Sequence, residues 1–304
     1  MSDQPQDSVV SRWGGDPADA RVKPISPWKM TFRRVARNRG AVIGLTITLF
    51  WIACALLAPV LSPYDPIKMS PPDRLSAPSA EHWLGTDLYG RDLLSRVIWG
   101  TRLSLRVGIL SVAIGAVVGT IMGLVGGYFG RVADEVMMRI VDAMLAFPGI
   151  LLALVIVAFM GPGLNNVIVA VGIGQVPSFA RLVRGCVLAA KEELYVLSAT
   201  VIGCRTSRIV VRHILPNIAA PLIVLGTLSV AWAILGAASL SFLGLGAKPP
   251  TPEWGTILSE GRDYLRVAPW ITTFPGLAIM TLVIGVNMMG DGLRVALDPR
   301  MKVG

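Results

Sequence analysis

Long apolar runs separated by short polar stretches set the rhythm of this chain. Ala41 to Leu61 is the first uncharged run, and Val107 to Gly130, rich in Gly, is the second. Ala143 to Ala180 is longer and is interrupted by Gly161-Pro162-Gly163-Leu164-Asn165-Asn166. Gly and Pro together punctuate helices, so that run predicts a tight hairpin of two spans. Ile214 to Ala247 and Val267 to Gly290 complete the set, with the fifth span expected to begin after Pro216. A helix needs about 20 apolar residues to cross the hydrocarbon core. The pattern therefore predicts an all-α polytopic membrane protein with six transmembrane helices. A closed barrel would show alternating segments of about ten residues; these runs are continuous.

One polar segment breaks the rhythm, Lys191 to Asn217. Lys191 to Ile202 is rich in helix formers, with Leu194, Leu197, Val201 and Ile202 at helical spacing. Gly203 offers a break or an elbow. A second short helix, Ser207 to Ile214, is expected to end before Pro216. Two short helices about a Gly elbow make a compact knob. Its apolar stripe fits a groove on a partner, or it rests on lipid headgroups; the pattern alone supports both.

Composition agrees with the class. Of 304 residues, 53% are apolar and 15% are charged, against roughly a quarter charged in soluble domains. The formal charge of +9 follows the spans. Arg33, Arg34, Arg37 and Arg39 precede the first; Arg181, Arg184, Lys191, Arg205, Arg208 and Arg212 flank and fill the polar segment; Arg294, Arg300 and Lys302 follow the last. Positive-inside bias places both termini and residues 191–217 in the cytoplasm, and the loops 62–100 and 244–266 outside. Arg102 and Arg106 run against this bias, and an amphipathic helix at the outer interface would accommodate them. The bases are dispersed around spans and not gathered into a groove, which argues for the lipid bilayer as partner and against nucleic acid. The first apolar run is too long and too late for a cleavable signal, so it is read as an uncleaved span. Residues 1–26 are expected to be a flexible tail.

Little in the chain carries chemistry. Cys54, Cys186 and Cys204 show no pairing logic, and His82 and His213 belong to no metal-binding cluster. No Gly-rich phosphate loop with a following Lys occurs, so ATP is not bound by a P-loop here. The spans are nearly free of charge. Asp134, Glu135, Arg139 and Asp142 fall at the inner end of the third span, and Glu135 with Arg139 reads as a locally paired helix end. Ion-coupled transport needs ionisable groups facing a cavity near the midplane; a secondary transporter or membrane-embedded enzyme using Asp142 or Asp291 is the competing class. A transporter with neither ion path nor nucleotide site draws its energy from another chain. In the outer loop, residues 84–96 mix Gly, Asp and Arg. One reading is a structural turn, with Gly85 and Gly90 for backbone freedom, Asp87 and Asp92 as caps, and Arg91 and Arg96 paired to them. The other is a contact surface. Pro249-Pro250-Thr251-Pro252 reads as a rigid extended loop.

Several of these segments resemble a known family. Gly203, nine residues, then His213-Ile214-Leu215-Pro216 is similar to the cytoplasmic loop of ABC importer permeases. Leu197-Ser198-Ala199 stand where that loop has Glu-Ala-Ala, and Glu193 lies one turn before the missing acid. Phe32-Arg33-Arg34 and Leu61-Ser62-Pro63-Tyr64-Asp65-Pro66 look like the N-terminal region of the dipeptide/oligopeptide/nickel permeases. The outer-loop motif Leu84 to Arg96, Leu240 to Gly246 with Trp254-Gly255, and the C-terminal Gly290-Asp291-Gly292-Leu293-Arg294 through Arg300 are similar to other stretches of the same family. The resemblance covers residues 27–302 and is to the second-permease, C-type subunit.

The resemblance implies a type I importer permease fold with cytoplasmic coupling helices. An N-terminal region, 27–100, carries the first helix and outer loop; a core, 101–304, carries five helices. It implies a bacterial cytoplasmic (inner) membrane protein that imports dipeptides or short oligopeptides, nickel or another small solute being the alternative. The implied partners are a homologous second permease, two ABC ATPase subunits and an extracytoplasmic substrate-binding protein. ATP and Mg would sit on the ATPases, leaving this chain non-catalytic, without cofactor or metal. One ATPase would dock on Glu193, Leu197, Ser198, Ala199, Gly203, Cys204, Leu215 and Pro216. Gly85, Thr86, Asp87, Gly90, Arg91 and Asp92 would form the outer-loop motif, facing the binding protein or the second permease in its contact reading.

Overall fold

The computed structural model describes residues 35–297. The tail 1–26, Arg33 and Arg34, and the stretch from Asp298 to Lys302 lie outside the described residues. Among the described residues the regular structure is helical, with one antiparallel bridge between Thr86 and Asp92 in the irregular loop before Leu93. Its helices are α1 (Arg39–Leu56), α2 (Ala58–Leu61), α3 (Leu93–Phe129), α4 (Arg131–Leu145), α5 (Gly149–Met160), α6 (Leu164–Lys191), α7 (Leu194–Val201), α8 (Thr206–Arg208), α9 (Leu215–Phe242), α10 (Trp254–Gly261) and α11 (Trp270–Leu297). Five helical stretches are long and apolar enough to cross a membrane: α1, α3, α6, the run from Thr206 to Phe242, and α11. The count becomes six when α4 and α5, bent by 91°, are taken as one crossing.

That bend departs from the straight third span of the sequence pattern. Pro148 has no N–H to donate and holds Phe147 away from helical geometry. It separates a polar helix from an apolar one: α4 carries Asp134, Glu135, Arg139 and Asp142, while α5 is wholly apolar. At 1.5 Å per residue α5 is only about 18 Å long, short of the roughly 30 Å hydrocarbon core.

α3 is the second departure. It runs unbroken for 37 residues, about 55 Å, so the second span and the stretch bearing Arg102 and Arg106 are one helix and not two. Both arginines are exposed on it, and Arg102 lies 5.3 Å over the Trp99 ring. Asp92 starts the helix by accepting from the Ser95 N–H at 2.8 Å, which satisfies one of the orphan donors of a helix N-terminus.

Packing is close because small residues line the contacts. A Cβ placed on Gly119 of α3 would stand 2.7 Å from the Val176 carbonyl of α6, and one on Gly44 of α1 would stand 2.7 Å from the Gly285 carbonyl of α11. These pairs meet backbone to backbone. Three apolar clusters follow the long axis. The first surrounds the fully buried Trp254 at the 84–96 end, the second Phe179 and Leu240, and the third Val183, Val187, Ile209 and Ile214 beneath α7. The first is fixed by indoles: Trp254 Nε1 donates to the Val97 carbonyl at 2.9 Å, and Trp51 Nε1 to Thr281 Oγ1 at 3.1 Å. Residues 249–252 close into a turn instead of the expected extended loop, because the Thr251 N–H meets the Lys248 carbonyl at 3.1 Å.

Candidate functional site

The knob at 191–217 is built from one short helix and the root of a long one. α6 ends at Lys191, whose Nζ donates to the Tyr128 carbonyl at 2.9 Å. Glu193 occupies the N-cap position of α7, but its carboxylate makes no capping bond. On α7 the side chains divide sharply. Val196 and Ala199 are buried against Ile209, Ile214 and Val187, while Leu194, Val201 and Ile202 are 80%, 87% and 80% exposed. Leu197 and Ser198 lie on the exposed side, and Cys204 is half-buried. The stripe expected from helical spacing is thus presented outward, on a base that is itself packed.

Gly203 closes α7. Its φ is +82°, its N–H bonds to the Thr200 carbonyl, and the Cys204 N–H bonds to the Ala199 carbonyl, each at 3.0 Å. This is the Schellman arrangement, in which a left-handed residue lets the chain reverse and satisfies the last carbonyls. Nothing lies within 4 Å of a Cβ added there, so the constraint on position 203 is conformational and not steric.

Beyond Gly203 the expected separate second helix is not found. Thr206 to Phe242 is one helical run in which Ile209–Ile214 widen into a π turn. Pro216, lacking an N–H, falls just after that widening, where the Leu215 N–H already reaches back five residues to Val210. The helix therefore passes through Pro216 instead of stopping before it. Asn217 Nδ2 donates to the His213 carbonyl at 2.6 Å and to the Tyr195 hydroxyl at 3.2 Å, tying α7 to the root of α9. Leu215 is half-buried and Pro216 exposed.

Two ion pairs that sequence reasoning missed fix α4 to α6. Arg184 Nε and Nη2 reach the Asp134 carboxylate at 2.5 and 2.6 Å, and Arg181 Nη2 reaches Asp142 at 2.6 Å. The Glu135–Arg139 pair is present too, at 3.2 Å and largely exposed. Spacing along one helix reveals only the last of these; the other two join helices whose proximity is a tertiary fact. Asp142 is paired with Arg181 and Asp291 is exposed.

At the opposite end the residues from Gly85 to Arg96 fold into a buried ionic turn. Gly90 has φ +74°, and a Cβ there would fall 1.8 Å from the Ser70 carbonyl oxygen, so no side chain fits. Asp87 accepts from the N–H groups of Tyr89 and Arg91. Its second oxygen meets Arg91 Nε at 2.5 Å and lies 3.3 Å from Arg96 Nε. Both guanidinium groups also donate to Glu260, at 2.9 and 2.8 Å. The side chains of Asp87, Arg91 and Arg96 are fully buried. Two positive and two negative charges thus pair in a largely buried cluster, which is the condition for burying them. Glu260 is the member that the local motif could not reveal; it arrives from α10. Asp92 accepts from His82 Nδ1 at 2.9 Å, and Thr86 donates to the Asp73 carbonyl. Nearby, Glu253 caps α10 through the Gly255 and Thr256 N–H groups, and burial pushes its carboxyl above the ordinary range.

Comparison with known proteins places this architecture. Residues 115–303 match the family model described as binding-protein-dependent transport system inner membrane component. Residues 26–78 match the N-terminal TM domain of oligopeptide transport permease C. The dipeptide transport system permease protein DppC of Alkalihalophilus pseudofirmus is 48% identical over 94% of each chain. The glutathione transport system permease protein GsiD of Pectobacterium atrosepticum is 48% identical, over 91% of this chain and 92% of that one. The di/tripeptide transport system permease protein DppC of Pseudomonas aeruginosa is 47% identical, over 91% and 93%. An inward-facing MetNI methionine ABC transporter structure shares the fold, with a TM-score of 0.54 at 20% identity over 68% of this chain and 98% of that one. The chain belongs to the family of binding-protein-dependent transport system inner membrane components, as a multi-pass permease subunit of an ABC importer of the C type.

Proposed function

We propose that this chain is one of two permease subunits of an importer for dipeptides or short oligopeptides, driven by ATPase subunits that dock on α7. The observation that carries this reading is the exposed stripe of Leu194, Val201 and Ile202 on a helix whose other face is packed into the third cluster. An apolar stripe of that size in a polar segment is matched by a groove on a partner. Its rigid base is what a coupling element needs, since a push on α7 is delivered directly to α6 and α9. The absent acid at Leu197 leaves this contact chiefly apolar.

The relatives named for dipeptides, di/tripeptides and glutathione support a peptide substrate here. In this reading ATP and Mg reside on the partner ATPases, and both termini and α7 face the cytoplasm. Residues 27–100 form an N-terminal region ahead of a core at 101–304. The second permease and an extracytoplasmic binding protein complete the assembly, the latter at the end that carries the 84–96 turn.

Deletion of residues 194–202 in the co-expressed importer is the test. Loss of ATPase co-purification, with this chain still inserted in the membrane beside the second permease, is expected. Undiminished co-purification would overturn the docking site.

A further inference from the structure

A cavity of about 680 Å³ opens between α5, α6 and α9, within the range of small-molecule sites. The bend at Pro148 brings Pro148, Gly149 and Ile150, the start of the short α5, to its wall. Gln175 and Ser178 stand near the middle of the 28-residue α6, and Ser229 near the middle of the 28-residue α9. The cavity therefore spans the central turns of both helices and extends to Ser239 and Leu240, near the end of α9.

Its chemistry is unusual for the middle of a span. Gln175, Ser178, Ser229 and Ser239 all line it, and no charged side chain does. Trp232 also lines it and is 74% exposed, although Trp in a lipid-facing position favours the interfaces. One residue before Ser178, Pro177 strips the Ile173 carbonyl of its i+4 donor, a backbone feature tolerated at this depth where a helix meets protein or a watery cavity.

The hydrogen bonds leave an acceptor free. Gln175 Nε2 turns toward the Ser229 carbonyl at 3.4 Å, which leaves its amide oxygen free to accept. Ser239 Oγ donates to the Leu235 carbonyl at 2.8 Å, leaving its lone pairs. The wall thus offers hydrogen-bonding groups, the Gln175 oxygen among them, without fixed charge. The Ser178 and Ser229 hydroxyls and the second Gln175 N–H add donors, so the wall suits a polar solute with both N–H and C=O groups, and the Gln175 oxygen is the acceptor placed for its N–H groups.

We propose that this cavity is this chain's half of the solute passage, closed on its open side by the second permease, and that Gln175 is its specificity-determining residue, accepting from peptide N–H groups. The inference rests on the importer reading above and adds the residues that meet the solute.

The test uses the whole importer in membranes, with Cys54, Cys186 and Cys204 replaced by Ser. Thiols react as thiolates, which form in water and not in hydrocarbon, so a small hydrophilic thiol reagent should label S178C at least about tenfold faster than V117C on the exposed apolar face of α3. Equally slow labelling would mean that an acyl chain or a packed helix fills the cavity, and would overturn the passage. At saturating binding protein, Q175L should lower the maximal uptake of a labelled dipeptide about tenfold, the loss expected for one hydrogen bond to an otherwise buried polar group. Q175E, which still accepts, should retain more of it. Unchanged uptake in Q175L alongside fast labelling of S178C would overturn the role of Gln175. An unsubstituted importer that takes up no peptide would refute the peptide reading instead, while the labelling rates would still decide whether the cavity is the passage.

Discussion

Gly203 is held by its backbone and not by its surroundings. A β-branched residue at φ +82° meets a penalty of roughly 1–2 kcal/mol from the clash of its Cβ with the carbonyl, and the open space around the position offers no compensation. The strain is relieved most simply by unwinding the last turn of α7. That frees the Cys204 N–H from the Ala199 carbonyl and tilts Val201 and Ile202 out of register with the packed base. G203V should therefore leave membrane insertion and ATP hydrolysis in place while uptake falls about tenfold, each 1.4 kcal/mol lost from coupling corresponding to that factor. Uptake and hydrolysis measured together on reconstituted importer check it, and equal uptake in both proteins would remove Gly203 from the coupling path. Ser198 and Leu197 bear on the same point, because an acid at 197 would sit on the exposed side of α7, where it could meet a partner but not the core.

At the scale of elements, the ionic turn at 84–96 shows what ties the loops to the bundle. Arg91→Met would leave Asp87 and Glu260 facing Arg96 alone, with Asp87 and Arg96 fully buried and Glu260 nearly so. Breaking a buried pair from one side costs about 3–5 kcal/mol, so the thermal unfolding midpoint of the detergent-solubilised chain should fall markedly; adding E260Q to R91M should recover part of the loss. A midpoint unmoved by R91M would show that the cluster does not hold α10 to α3. The same elements show what was legible in the sequence. The apolar runs located α1, α3, α6, α9 and α11, because lipid imposes a length and a composition on any helix that crosses it. Helical spacing found the stripe on α7, and the Gly/Asp/Arg mixture of 84–96 pointed to a turn. What escaped was tertiary. Glu260 joins Arg91 from 169 residues away, and Asp134 pairs with Arg184 across two helices. The course of the chain through Pro216 rests on a π turn that no residue type announces. The bend at Pro148 was visible as a proline, but an uninterrupted apolar count concealed that α4 and α5 differ in direction by 91°.

For the whole molecule the open quantity is its direction in the membrane. The knob at α7 and the ionic turn at 84–96 lie at opposite ends of α6 and α9, so an odd number of crossings separates them. The arginine distribution leads one to expect the knob in the cytoplasm, where the proposed docking of ATPase subunits on α7 also needs it. Val201 is 87% exposed at the tip of the knob, and Ala80 is exposed in the outer loop. In a chain lacking its native cysteines, a membrane-impermeant thiol reagent should modify A80C from the outer face of spheroplasts and leave V201C untouched. Inside-out vesicles should reverse that order, because a charged reagent does not cross the hydrocarbon core. Labelling of V201C from outside would invert the topology, and with it the assignment of α7 as the motor's contact. Labelling of both positions from one side would mean that an even number of crossings separates them, and that the bent pair α4–α5 is re-entrant or the course of α6 or α9 is misassigned.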